Sequence, residues 1–92
     1  MKYTNYPIKA SQNAMDGYFR NRLKKTCNNK TGVETAKKLI RREALTEKFL
    51  KKIYSYLSRA KVYVGNKNEC GYISYQLWGG KEMYNYCKKN LK

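Results

Sequence analysis

Three features of the sequence predict an all-α fold, a compact bundle of four or five short helices. Apolar residues recur at helical spacing in successive stretches, most clearly Phe49, Leu50, Ile53, Leu57 and Ala60. The one proline, Pro7, lies near the start, so none interrupts those stretches from inside. Turn-forming groups (Cys27-Asn28-Asn29-Lys30, Gly65 to Glu69, Gly79-Gly80) separate them. Ninety-two residues suffice for one domain and not two.

Residues 1–10, with Pro7 between Tyr6 and Ile8, read as an extended lead-in laid across a single helical domain of residues 11–92 by its two tyrosines. Ser11 is a candidate cap for the first helix. There Met15, Phe19 and Leu23 repeat at i, i+4 and i+8 with Ala14 and Tyr18 alongside and mark the inward face, while Gly17 weakens the helix. Thr31-Gly32-Val33-Glu34 has the form of a capping box opening a second helix, whose face Val33, Ala36, Leu39 and Ile40 runs to about Glu43. Thr46 caps the third, with Glu47 in its first turn, and the short connection between the two predicts that they touch as an angled pair. Val62-Tyr63-Val64 alternates and predicts a short extended segment at 61–64. Ile73, Leu77 and Trp78 are at helical spacing, although Tyr72 to Tyr75 also has strand character. A last helix follows the glycine pair, with Met83, Tyr84, Cys87 and Leu91 inward.

Charge is the outlying property. Twenty-one Lys and Arg against six Asp and Glu leave +15, an excess that costs stability through self-repulsion and points to a polyanionic partner. The middle helices concentrate it: Lys37 with Arg41, Lys38 with Arg42, and Lys48 with Lys52 are each four apart, and Lys51 leads through Ser55 to Arg59. Thr35, Tyr54, Ser55 and Ser58 interleave hydrogen-bonding groups with the cations, the mixture that contacts phosphates. The ordinary alternative is a solvated face. The candidate nucleic-acid-binding residues are therefore Lys37, Lys38, Arg41, Arg42, Lys48, Lys51, Lys52 and Arg59. Few arginines favour backbone contact over base reading. Neutralising about six phosphates predicts a log–log salt slope near −5. The tyrosines read as core and rim packing more than as base-stacking platforms, and Trp78 reads as a core anchor.

Catalysis finds no support. The chain has no histidine, no close acidic pair suited to a divalent metal and no phosphate-cradling glycine loop. Cys27, Cys70 and Cys87 are odd in number with no CxxC spacing, which argues against zinc and against a disulfide framework and predicts small, reduced, mostly buried thiols. No cofactor is expected. No run of about 18 apolar residues occurs. Docking on a membrane surface needs an exposed apolar stripe beside the cations; here the core is expected to use every stripe, so no membrane partner is expected.

The segment from Thr31 to Tyr63, TGVETAKKLIRREALTEKFLKKIYSYLSRAKVY, and the segment GYISYQLWGGKEMYNYCKK from Gly71 to Lys89 together resemble a small module of tailed-phage proteins, often near head or packaging functions. The Ile-x-Tyr-x-Leu-Trp-Gly-Gly run, Ile73 to Gly80, is its most distinctive element. Two departures accompany the match: Ala60 stands where the module has a histidine, and the glycine-rich insertion before the last part is short. The stretch from Thr31 to Leu57 is also similar to the recognition helix and following helix of repressor-like helix-turn-helix domains, an arrangement that would turn Lys37, Lys38 and Arg41 toward a groove. The resemblance implies a phage or prophage origin and a cytoplasmic location in a bacterial host, with virion association as the alternative. Together with the charge, it leads to the expectation of a non-catalytic accessory protein binding nucleic acid, DNA before RNA, through the phosphate backbone. The competing expectation is an interaction protein, either a virion or scaffold component or an inhibitor of a nucleic-acid-guided defence complex, meeting a protein–nucleic acid assembly.

Overall fold

The computed structural model describes residues 2–24, 27, 29–63, 65 and 69–91. Among the described residues there are five α-helices: α1 (Ile8–Leu23), α2 (Lys30–Ile40), α3 (Glu47–Ala60), α4 (Cys70–Leu77) and α5 (Gly80–Asn90). Two short strands, β1 (Lys2–Tyr3) and β2 (Leu45–Thr46), pair antiparallel with Lys2 opposite Thr46 and Tyr3 opposite Leu45. A 3-10 turn at Lys61–Tyr63 follows α3 where an extended segment was expected; Val64 of that segment, Asn28 and loop residues 66–68 lie outside the described residues. The all-α bundle predicted from periodicity is the observed fold.

Helix α1 sits centrally and packs against α2, α4 and α5, while α3 packs mainly on α5. This crowding selects its small residues for the inside. Ala10, Ser11, Asn13, Ala14 and Gly17 are buried and Tyr18 is half-buried, in line with the expectation for Ala14 and Tyr18, but Met15, Phe19 and Leu23 face out with Ile8, against the expected inward stripe. Gly17 is the point of closest approach: a Cβ there would lie 2.6 Å from the backbone nitrogen of Leu77 and 2.9 Å from the carbonyl carbon of Gln76. Ser11 does not cap α1. Pro7, with φ of −60° suited to a helix start, holds the N-cap position, and the Ser11 hydroxyl donates to the Leu39 carbonyl at 2.7 Å.

The extended lead-in is shorter than the expected residues 1–10, because α1 begins at Ile8; within it Tyr3 and Tyr6 are buried. Its anchor is Arg42. The Arg42 guanidinium donates to the carbonyls of Tyr6 (2.6 Å) and Pro7 (3.1 Å) and to the Ser11 hydroxyl (2.9 Å), and stacks 4.4 Å over the Tyr6 ring. Helix α2 ends before the expected Glu43 in a Schellman-type turn: the Glu43 amide donates to Lys38 O and the Arg42 amide to Leu39 O. Arg42 takes the left-handed position (φ 58°) that glycine usually fills, at a backbone cost of about 1 kcal/mol that its hydrogen bonds offset.

The core gathers Leu39, Leu45, Leu50, Ile53, Leu57, Ile73, Leu77 and Met83. The apolar stripe of α3 faces it, and Thr46 caps this helix by accepting from the Phe49 amide at 3.1 Å. Between α4 and α5, Gly79 (φ 107°) and Gly80 (φ 69°) both need positive φ. A Cβ on Gly79 would collide with Met83, and Asn13 reaches from α1 to donate to the Gly79 carbonyl at 2.9 Å and to Glu82 at 2.7 Å. The Leu77-Trp78-Gly79-Gly80 segment therefore acts as scaffold, locking α1 to the turn that starts α5.

Two expectations about cysteine and pairing are corrected. Cys27 and Cys70 form a disulfide that ties the chain after α1 to the first residue of α4, because the fold brings their Cα atoms to 5.4 Å. Only Cys87 is a buried free thiol, pushed up to about 12 by burial. The helix pair expected between α2 and α3 is not a packing pair either. The connection between them runs through β2, and each helix packs mainly on other partners, with Lys38 over the Phe49 ring as a contact between the two.

Candidate nucleic-acid interface

Helix α3 turns Leu50, Ile53, Leu57 and Ala60 inward, so the positions between them must face water. Lys48, Lys52, Ser55 and Arg59 fall at i, i+4, i+7 and i+11 on that outer face and form one exposed line; Lys51 stands beside it. At 1.5 Å per residue the line is about 16 Å long. Arg59 donates to the Ser55 hydroxyl at 2.8 Å, and Lys51 pairs with Glu47 at 3.3 Å. Lys48 and Lys52 have no carboxylate partner among the described residues. A shallow basin of about 470 Å³ opens at the start of this helix between Thr46, Lys48, Phe49, Lys51 and Lys52.

The cations of α2 are placed differently. Lys37 pairs with Glu34 (3.7 Å), and Lys38 (3.6 Å) and Arg41 (3.4 Å) converge on Glu43. Exposed pairs of this kind hold weakly and release readily to a stronger anion. Lys38 also lies 5.5 Å over the Phe49 ring, which links α2 to the basin on α3. Arg42 is withdrawn from this surface, since its guanidinium is engaged by the lead-in. Of the eight residues named from sequence, the structure groups Lys48, Lys51, Lys52 and Arg59 on one face and sets Lys37, Lys38 and Arg41 on the neighbouring helix.

A further feature lies between the two helices. Thr31 and Gly32 of α2 face Lys52, Ser55, Tyr56 and Arg59 of α3 across Trp78, forming adjoining cavities of about 290 and 350 Å³. Tyr56 stacks on Trp78 (centroids 4.3 Å apart, planes at 15°) and shares a hydrogen bond with the Ser74 hydroxyl. The expected capping box does not form: α2 begins at Lys30, Asn29 holds the N-cap position without a side-chain bond to the helix, and the Thr31 carbonyl accepts from Thr35. The start of α2 has no side-chain cap, and Asn29, Lys30, Thr31 and Gly32 line the cleft. Lys30 escaped the sequence reading because its position depends on where α2 starts.

Several other tyrosines among the described residues pack on one another. Tyr3 and Tyr6 meet Tyr86 edge to face, and Tyr54 stacks on Tyr84. Lys61 donates to the Tyr84 hydroxyl at 3.0 Å, and this bond holds the exposed phenol below its ordinary value. No group of three or more His, Cys, Asp or Glu side chains among the described residues is placed to hold a metal ion, and no helix is long and apolar enough to cross a membrane. No protein-family model, curated protein or solved structure matches the chain.

Proposed function

We propose that the protein is a non-catalytic phage accessory factor that binds nucleic acid through the phosphate backbone, with the outer face of α3 as its contact surface. One observation carries this reading. Lys48, Lys52 and Arg59 form an exposed line opposite the buried face of the same helix, and among the described residues none of the three is neutralised by a carboxylate. Phosphates follow one another along a strand, and a straight row of cations with a hydroxyl among them complements that spacing. The uncapped start of α2 beside Lys30, Thr31 and Arg59 offers further amides to a phosphate at the edge of the row.

The test is an electrophoretic mobility shift with mixed-sequence duplex DNA across a salt series. The triple variant Lys48→Gln/Lys52→Gln/Arg59→Gln is run beside the wild type. Removing three phosphate contacts is expected to flatten the log–log salt slope by about 3 and to weaken binding uniformly across sequences. Absence of a shift at about 50 mM salt, or equal binding by the triple variant, overturns the assignment. Single-stranded DNA and RNA of the same length, run in parallel, decide the preferred form.

A further inference from the structure

The outward face of α1 carries large apolar side chains that the core does not use. Ile8 is 68% exposed, Met15 55%, Phe19 67% and Leu23 77%. At 100° per residue they fall within one sector of the helix about 22 Å long, with the exposed Gln12 between Ile8 and Met15 in the same sector, so the continuous apolar ridge runs from Met15 to Leu23. The opposite face is closed by Ala10, Ala14 and Gly17 against neighbouring helices, so rotating α1 cannot hide the ridge without opening the core. Lys9 and Arg22 are exposed on its two flanks. Asp16, the one acid of α1, is engaged by Arg20 at 3.0 Å and by Gln76 at 3.2 Å.

Charge and shape narrow the occupant. A second copy is disfavoured: two chains of +15 repel, and a two-fold antiparallel pairing centred on Met15 and Asp16 would set Lys9 opposite Arg22. A ridge this short is also narrow beside the roughly 800 Å² per partner of a standard protein interface. A convex apolar ridge with cations on both flanks instead meets the requirement of a lipid interface, where apolar side chains enter the acyl boundary and basic groups meet headgroup phosphates. We propose that α1 docks the protein in the plane of an anionic membrane surface, with Met15, Phe19 and Leu23 inserted and Lys9 and Arg22 at the headgroups. The apolar stripe beside cations that such docking needs, which the sequence was expected to use up in the core, is present on the folded surface. The site is distinct from the α3 row and does not depend on it.

The test is co-sedimentation with vesicles of equimolar phosphatidylglycerol and phosphatidylcholine, and with phosphatidylcholine alone, at physiological ionic strength. Wild-type protein is expected to pellet with the anionic vesicles and much less with the neutral ones. Phe19→Ser and Met15→Ser, at exposed positions, are each expected to lower the partition coefficient about tenfold. Their melting temperatures and DNA mobility shifts are expected to stay unchanged, which separates this proposal from the α3 reading. Three results overturn it. The wild type could remain in the supernatant, or the serine variants could pellet as well as wild type, assigning the association to net charge alone. Light scattering could also show a vesicle-free dimer that Phe19→Ser dissolves, assigning the ridge to a second copy.

Discussion

Replacing Gly17 by alanine sets local propensity against tertiary packing, and the two predict opposite signs. In an isolated helix alanine is favoured over glycine by about 1 kcal/mol. In the fold, the added Cβ would stand 2.6 Å from Leu77 N and 2.9 Å from Gln76 C, where ordinary contact begins near 3.4 Å. Both neighbours are backbone atoms of α4 and cannot swing aside, so α1 and α4 must separate by close to an ångström. That displacement also strains the Gln76–Asp16 bond (3.2 Å) and the Asn13 anchor on Gly79 (2.9 Å). Overpacking of this kind costs about 1–3 kcal/mol, and loosening the anchors adds roughly 1 more, so the net loss is about 1–3 kcal/mol. For a domain of this size that lowers the melting temperature by roughly 4–24 °C. Thermal and urea unfolding followed by circular dichroism measure it directly. Gly65→Ala is the control, because a Cβ at Gly65 meets nothing within 4 Å, and its effect is expected to stay within about 1 kcal/mol. If Gly17→Ala melts at or above the wild-type temperature, the α1–α4 close approach is wrong and the argument for the outward ridge fails with it.

Three further outcomes are expected. Arg42→Ala removes charge-assisted bonds to Tyr6 O and Pro7 O and is expected to destabilise by about 2 kcal/mol in urea while leaving the DNA salt slope unchanged; a flattened slope would return Arg42 to the binding surface. The Cys27–Cys70 disulfide spans 43 residues of sequence, for which chain entropy gives about 4 kcal/mol. Cys27→Ser or a reductant is expected to lower the urea midpoint accordingly, whereas Cys87, buried and raised to about 12, is expected to resist maleimide in the native protein; rapid native labelling at Cys87 would contradict its burial. Burial raises the Tyr6 phenol above its ordinary value of 10.0. Its folded state thus holds the proton more tightly, and its contribution is fully present below about pH 10 and lost as pH rises through the folded value. The stability difference between wild type and Tyr6→Phe is expected to shrink over that range, and a difference constant from about pH 8 to 11 would refute the assignment.

The fold class was legible because helical periodicity is a local property. In α3 a full stripe, a capping threonine and a first-turn acid all agree, and the observed helix follows them. The inward faces of α4 and α5 were legible for the same reason. Legibility failed where one helix has two possible inner faces. In α1 the large set (Met15, Phe19, Leu23) and the small set (Ala10, Ala14, Gly17) have the same period, and hydrophobicity alone selects the large one. Three surrounding helices leave room only for the small one.

For the candidate interface, the sequence by itself determined that cations stand opposite an apolar stripe on α3, since that follows from one helix's geometry. It also carried the net charge of +15. The tertiary structure alone decided that Arg42 serves as an anchor and that Tyr56 and Trp78 line a cleft beside the start of α2. It also decided that Cys27 meets Cys70 and that an apolar ridge is left on the surface. Each depends on which elements become neighbours after chain reversal, and that outcome is set by the volume the packed helices leave to one another, a quantity no single stretch of sequence contains.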